Sequence, residues 1–514
     1  MKPVKIREIL VVMILAAGAG ALSLIISLTI LDGIPHISDE LSYAFQARII
    51  AAGRLSLPPP PLPELFAQQN VILDSVRWCS KYPPGWPLLL SLGSLAGAPF
   101  VVNPLLLAAA VAGAWYLGRR LFNSAAGLLG AGLLACSPFA LLMGAGFMAH
   151  VAVLALSLWC LGALAPAFDG SGSRRAFLAA GLLGGLAFLV RPYTALLLLW
   201  PGAVFCLFRQ RPARRFLGAL GCLAAGALPG ILVFLAYNWA VFGNPLLTGY
   251  SVYNPTEQLS GIHGIYAPRT ELLVHHIPWY FHYLNRCLWG WPWPNLLILV
   301  PLAWPRPGRS KDSVLLASAL SLVAGYSVFY FCDIVYSGPR FAFEALGPLS
   351  LLAARALLTL QDGISAALRR ARRLSDGTRR IARAAVSAAA LLVLLLYPLA
   401  SRLPKQMEHH AQWYHGVSAA PLRSASKAGV GSSALVFVSG SAPGFGSFFL
   451  ENPLDPRTGK RVYVRDIPGL GEPAKTAFPR AEVWRVTVDL EPFPGPNIYA
   501  EAFRPRDVSW QRLR

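Results

Sequence analysis

LFNSAAGLLGAGLLACSPFALLMGAGFMAHVAVLALSLWCLGALAPAF, residues 121–168, separates Arg120 from Asp169 without one Asp, Glu, Lys or Arg. A helical crossing of a bilayer takes roughly 20 apolar residues, so the stretch is long enough for two. The rest of the chain agrees with it. Of 514 residues, 55% are hydrophobic and only 13% charged, against about 25% charged in soluble domains. A large soluble core does not account for so deep a deficit; membrane spans do. The net charge of +21 would suggest nucleic acid in a soluble protein. Here the cations sit in short clusters between apolar runs, as the positive-inside rule expects, and no nucleic-acid partner is expected.

Lys2, Lys5 and Arg7 precede an apolar run from Ile9 to Leu31. It exceeds the roughly 7–15-residue core of a signal peptide and reads as a retained first span. Further runs lie at 102–118, 125–143, 148–165, 176–190, 193–208, 216–240, 291–304, 313–331, 341–360 and 384–400. The run 86–98, after Tyr82-Pro83-Pro84-Gly85, is too short for an ordinary span. If it stays on one face, the basic clusters Arg119-Arg120, Arg174-Arg175, Arg209–Arg215, Arg306–Lys311 and Arg369–Arg383 all fall on the inner side. The expectation is an all-α polytopic membrane protein of about eleven transmembrane helices, N-terminus cytoplasmic and C-terminus periplasmic. Residues 1–400 form the membrane domain, with outer loops 32–101 and 241–290. Residues 401–514 form a small soluble domain. Its strand-like runs Leu435–Val438, Arg461–Val464 and Val483–Leu490, set among Gly and Pro turns, predict mixed or mainly β structure. The seven cysteines have no metal-like spacing; Cys79 and Cys287 are candidates to meet outside the membrane.

The outer segments carry the candidate chemistry. Asp39 and Glu40 open a stretch with helical spacing in which Asp39, Tyr43 and Gln46 share a face. A carboxylate pair there suits a metal or a proton, although acids favour the first turn of any helix. Lys81, stiffened by Pro83, Pro84 and Pro87, reads either as a phosphate ligand or as a snorkelling lysine. His150 is the one strongly titratable group between Arg120 and Asp169, and such a histidine either packs or orients a carboxylate. Arg191 and Arg340 fall at outer helix ends, where arginines are few. They either bind an anionic headgroup or pair with Asp333 or Glu344. The loop bearing His263, His275, His276, Trp279, Tyr280, His282 and Trp289 reads first as an interfacial aromatic belt.

Taken in order, these motifs resemble the GT-C membrane glycosyltransferases, in the branch related to protein O-mannosyltransferases and the lipid A aminoarabinose transferase (glycosyltransferase family 39-like). The resemblance runs through Asp39-Glu40, Tyr43…Gln46-Ala47-Arg48, Lys81-Tyr82-Pro83-Pro84-Gly85, Leu117-Gly118-Arg119-Arg120, Arg191-Pro192, Asn238…Gly249-Tyr250 and Pro339-Arg340-Phe341…Glu344, and covers roughly residues 1–400. It implies an inverting transfer from a polyprenyl-phosphate sugar. Asp39 becomes the catalytic carboxylate, as base or metal-linked orienter of the acceptor, and Glu40 supports it. Lys81, Arg191 and Arg340 hold the donor phosphate. His150, Tyr43, Tyr82, Glu344 and Tyr250 orient substrate or metal. The resemblance also makes a divalent cation (Mg, Mn or Zn) on Asp39 a candidate cofactor. His150 stands where many relatives carry an acid, and Phe341 where a tyrosine is common.

The expected function is therefore sugar transfer on the outer face of a bacterial inner membrane, to a lipid, glycan or protein acceptor. The alternative is a transporter or flippase of lipid-linked glycans. It would place ionisable groups near the midplane, in pairs on related repeats. No internal repeat is visible here, and the ionisable groups gather at one rim.

Overall fold

The computed structural model describes residues 4–254, 270–303, 308–329, 331–370, 376–411, 413–492 and 503–514. His263, Arg306 and residues 371–375 of the arginine block lie outside the described residues. The first half of the chain folds as α1 (Ile6–Thr29), α2 (Ser38–Ala51), the hairpin β1–β2 (Val71–Leu73, Trp78–Ser80), α3 (Gly85–Leu95), α4 (Val102–Leu121), α5 (Ser124–Ala135), α6 (Pro138–Ala145), α7 (His150–Leu164), α8 (Arg174–Val190), α9 (Pro192–Phe208) and α10 (Ala213–Phe242). Then come α11 (Gly249–Tyr253), α12 (Leu273–Cys287), α13 (Arg309–Ser327), the hairpin β3–β4 (Ile334–Val335, Gly338–Pro339), α14 (Leu346–Arg370), α15 (Asp376–Leu391) and α16 (Leu403–His410).

Local sequence accounts for several boundaries. Asn123, Ser137 and Ser173 cap α5, α6 and α8 by accepting backbone N–H groups of the first turn. Pro138 stands at a helix start, where its missing N–H is harmless. Among the described residues, six helices are long and apolar enough to cross a membrane, or seven if the bent pair α5–α6 counts as one span. The expected count of about eleven is not reached by that measure. Helices α8 and α9 have 17 residues each and meet at Arg191-Pro192. The run 291–304 is a nine-residue 3₁₀ segment, Asn295–Ala303, because Pro292, Pro294 and Pro301 break it. At about 2 Å per residue it covers roughly 18 Å of a 30 Å layer. The run 313–331 becomes α13, whose first turn carries Arg309, Lys311 and Asp312. The stretch 86–98 forms α3, only 11 residues long.

Charges mark one end of the bundle. Glu8 at the start of α1 pairs with Arg119 at the end of α4 at 3.0 Å. Lys311 at the start of α13 reaches Asp169, just past α7, at 2.8 Å. The other ends of α1 and α7 carry Asp32 and His150. Ile14, Leu105, Phe208 and Leu217 are exposed on their helices, as side chains facing lipid would be.

Helices α8 and α10 touch backbone to backbone. A Cβ on Gly226 would lie 2.2 Å from the Leu178 carbonyl oxygen, and one on Gly181 2.1 Å from that of Leu223. Gly185 and Gly230 repeat the contact one turn on. Small residues at this spacing let membrane helices approach closely, and the contact fixes the end of α8, where Arg191 emerges.

The C-terminal unit has a four-stranded sheet: β5 (Ala434–Gly440), β6 (Val462–Arg465), β7 (Glu482–Pro492) and β8 (Phe503–Arg512), in the order β6-β5-β7-β8. The first three strands are parallel and β8 is antiparallel. The links between the parallel strands carry short helices, Gly446–Phe449 and Gly471–Ala477, so the unit is mixed α/β. Its core is not its own. Phe437, Phe448, Phe449 and Val464 pack in one cluster with Phe45, Ile49, Phe66 and Trp78 from the 32–101 loop. Arg48 on α2 donates to the carbonyls of Leu450 and Asn452. All seven cysteines are free, so Cys79 and Cys287 are not bridged.

Candidate functional site

The end of the bundle bearing His150 holds a cavity of about 490 Å³. It is lined by Asp39 and Tyr43 of α2, Lys81 and Tyr82 before α3, His150 of α7, Arg191 between α8 and α9, Tyr250 and Tyr253 of α11, and Arg340 after β4. Thus eight expected residues meet in one place: Asp39, Tyr43, Lys81, Tyr82, His150, Arg191, Tyr250 and Arg340.

Asp39 sits at its centre. Its Oδ1 accepts the Tyr82 hydroxyl at 2.6 Å and lies 3.3 Å from Arg340 Nη1. Burial opposes the charged form, but Arg340, Tyr82 and Lys81 outweigh it, so the carboxyl is held below the usual carboxylate range. Arg340 Nε is 2.9 Å from Asp333 Oδ2, so two carboxylates share one guanidinium. Burial pushes the Asp333 carboxyl up, Arg340 notwithstanding.

The β3–β4 hairpin explains how Asp333 and Arg340 come to face each other. Its turn residues Tyr336 and Ser337 both have positive φ, 49° and 72°, the twist a two-residue hairpin requires. Neither is glycine, so the conformation is held at a cost by its surroundings. Tyr336 is anchored through its hydroxyl, which donates to Glu40 at 3.0 and 3.1 Å.

Glu40 is therefore not in the cavity. Consecutive helical residues diverge by about 100°, and Glu40 points away from Asp39 into the protein, fully buried. It also accepts the N–H groups of Phe147 at 2.7 Å and His36 at 3.0 Å. Burial raises its carboxyl despite these donors. Glu40 ties together α2, the α6–α7 link and the hairpin. Trp86 and Asn103 hold the same link, donating to the carbonyls of Phe147, Gly146 and Met148.

Glu344 is likewise set back from the cavity. Its Oε1 lies 3.1 Å from His150 Nδ1, and His150 Nε2 meets Arg191 Nη1. A guanidinium only donates, so Nε2 must accept and Nδ1 must carry the proton. This order, Glu344–His150–Arg191, fixes a neutral tautomer and aims the arginine. Arg191 Nη2 also donates to the Tyr326 hydroxyl at 3.2 Å. Tyr326 in turn stacks on Phe341, ring centroids 4.8 Å apart.

Lys81 is buried, with Nζ over the rings of Tyr253 (4.6 Å), Tyr82 (5.5 Å) and Tyr250 (5.6 Å). Aromatic faces hold a cation without neutralising it. Tyr43 packs on Tyr82 at 4.4 Å. The sequence reading missed Tyr253, Asn70, Tyr326 and His415 as lining groups. Of the expected aromatic belt, Tyr280 on α12 and Trp289 just after it are buried in the main core. His276 Nδ1 meets the Ser327 carbonyl at 3.0 Å.

Among the described residues, no three His, Cys, Asp or Glu side chains gather as a metal site. Asp39 and Asp333 are both turned to the same arginine, and His150 is committed at both nitrogens. The donor set does not fit the divalent cation that the motifs suggested.

Residues 88–239 match the family model described as dolichyl-phosphate-mannose-protein mannosyltransferase. Among curated proteins, no sequence relative matches. Solved structures of similar fold include ArnT from Cupriavidus metallidurans in the apo state, with a TM-score of 0.53 and 13% identity over 94% of this chain and 96% of that one. The same protein bound to undecaprenyl phosphate gives 0.50 and 14% over the same shares. The Archaeoglobus fulgidus oligosaccharyltransferase tethered to an acceptor peptide gives 0.50 and 12%, covering 94% and 69%. The resemblance to GT-C membrane glycosyltransferases is borne out in the fold.

Proposed function

We propose that this GT-C-type membrane protein transfers a sugar from a polyprenyl-phosphate donor to an acceptor on the outer face of the membrane, with inversion at the anomeric carbon. The observation that carries this is the cavity in which one ionised carboxylate, Asp39, faces three cations, the buried Lys81 and Arg340 and the half-buried Arg191. As the sugar leaves, a phosphodiester becomes a monoester and gains negative charge. Fixed cations stabilise that state more than the ground state. The undecaprenyl phosphate bound to the similarly folded ArnT supports a lipid phosphate as the ligand.

In this reading Arg340 and Lys81 contact the phosphate, and Arg191 is aimed by His150 and Glu344. Asp39, held below the usual carboxylate range, is a poor resting place for a proton. Its part is to face the positive charge that develops on the sugar ring. Tyr43 and Tyr250 offer faces for the ring. No step is routed through a metal. The positive clusters support a cytoplasmic N-terminus in a bacterial inner membrane, with the C-terminal unit periplasmic. The acceptor is a lipid, glycan or protein.

The test is direct. Purified protein should bind undecaprenyl phosphate, and Arg340→Ala and Lys81→Ala should each weaken that binding at least tenfold while the protein stays folded. Equal affinity in both variants would remove the phosphate assignment. Mass spectrometry of lipids and surface glycans after gene deletion should reveal one lost sugar.

A further inference from the structure

We propose that His415 is a catalytic residue: the base that takes the proton from the acceptor hydroxyl as the sugar is transferred. The inference rests on the transferase reading above, which leaves that proton without a destination. Asp39 is held as an anion by Arg340 and Tyr82, and His150 is bound at both nitrogens. His415 is the other imidazole lining the cavity among the described residues, in company with Asp39, Asp333 and Arg340. It comes from the C-terminal part of the chain, far in sequence from the motifs.

Its backbone is unusual. Trp413 and His415 have φ of 46° and 51°, a left-handed conformation that side chains with a Cβ rarely adopt. Such residues persist where the surroundings over-determine them, and they cluster at functional sites. The surroundings here are visible. Tyr414, between the two, is fully buried. Its hydroxyl accepts the Tyr336 N–H at 3.0 Å, and its carbonyl lies 3.3 Å from His36 Nδ1. Tyr414 is thereby fastened to the hairpin that carries Asp333 and Arg340 and to the segment that leads into Asp39. On the other side, Gly416 has no room for a side chain: a Cβ would lie 2.5 Å from Pro443 and 3.2 Å from Leu490. These residues lie after β5 and near the end of β7. The strand ends thus abut the cavity at His415, and its backbone is held between the membrane site and the C-terminal unit.

The step balances. The acceptor oxygen forms a bond to the anomeric carbon as that carbon's bond to the lipid phosphate oxygen breaks. The bonding electrons leave with the phosphate, which becomes a monoester dianion. The acceptor's proton passes to the His415 imidazole and then to solvent. Imidazole is the side chain suited to exchange protons near neutrality.

The experiment uses full-length protein in membranes of the deletion strain, with the endogenous donor and acceptor, and undecaprenyl phosphate as the binding probe. His415→Asn and His415→Gly both suit a left-handed backbone, so neither adds strain. Both should bind undecaprenyl phosphate as the parent does. Transfer should fall by about 10²–10⁴-fold, the usual weight of a general base. Added imidazole should restore part of the rate in His415→Gly, where the ring has left a space. Transfer at the parental rate in either variant, or a loss that imidazole does not relieve, overturns the proposal. If the parent protein neither binds undecaprenyl phosphate nor changes any lipid or glycan mass, the transferase reading itself fails, before any variant is compared.

Discussion

Asp39→Asn should tighten the hold on lipid phosphate while stopping transfer. In the parent, Arg340 Nη1 lies 3.3 Å from Asp39; at an effective dielectric of about 20, that attraction is about 5 kcal/mol before solvent screening. An arriving phosphate must share the guanidinium with that carboxylate. At about 6 Å from Asp39, a singly charged phosphate would be repelled by about 3 kcal/mol at the same dielectric. Asn removes the repulsion and keeps an acceptor for Tyr82 and Arg340. The Asp39 side chain is 15% exposed, and Asp333 still engages the arginine, so part of this survives: a net gain of about 1–2 kcal/mol, or roughly 5- to 30-fold in affinity. Transfer should fall by about 10²–10³-fold, the weight of one fixed group facing the charge that develops in the transition state. Titration of undecaprenyl phosphate into both proteins in nanodiscs, at low and high salt, measures the first quantity. Membrane transfer assays measure the second. Unchanged or weaker binding in folded Asp39→Asn protein would refute the view that phosphate and carboxylate compete for Arg340.

Glu40→Gln should destabilise the fold by about 1–3 kcal/mol, because Phe147 and His36 donate to different oxygens of Glu40 and an amide NH₂ must then face one of those two N–H groups; thermal melts check this. The depressed pKa of Asp39 means its ion pair contributes fully above the unfolded value near 3.9 and is lost as pH falls through the lower folded value. The stability difference between parent and Asp39→Asn should accordingly be flat from pH 5 to 8 and shrink only in stronger acid. Gly226→Val should push α8 from α10, lower stability by about 1–3 kcal/mol and weaken phosphate binding through Arg191; a stable variant with parental affinity would dismiss the glycine contact as a positioning device. Phe449→Ala, at the seam between α2 and the soluble unit, should cost about 3–5 kcal/mol and slow transfer, although Phe449 does not line the cavity.

Much of the site was legible because its parts announce themselves locally. Cations at helix ends away from the basic clusters, and an acid beside the first span, stand out against an apolar background. What stayed hidden was direction and distance. Asp39 and Glu40 are neighbours in sequence, yet one faces the cavity and the other the interior. Spacing alone could not divide their roles, since each had apolar residues around it. Tyr336 and His415 depend on φ values that no side-chain pattern advertises. One expected span did not form as a long helix because hydropathy weighs residues and ignores proline: Pro292, Pro294 and Pro301 interrupt the apolar run 291–304.

The cluster joining Phe45, Ile49 and Trp78 to Phe437 and Phe449 bears on how the molecule matures. Ribosomes deliver α2 some 400 residues before the strands that buttress it. Until those strands fold, the rear of the Asp39 helix lacks its cover. On the proposed function, a half-made chain would sit in the bilayer beside its donor with the Asp39 helix unsupported, and the last strands to be made would complete the site.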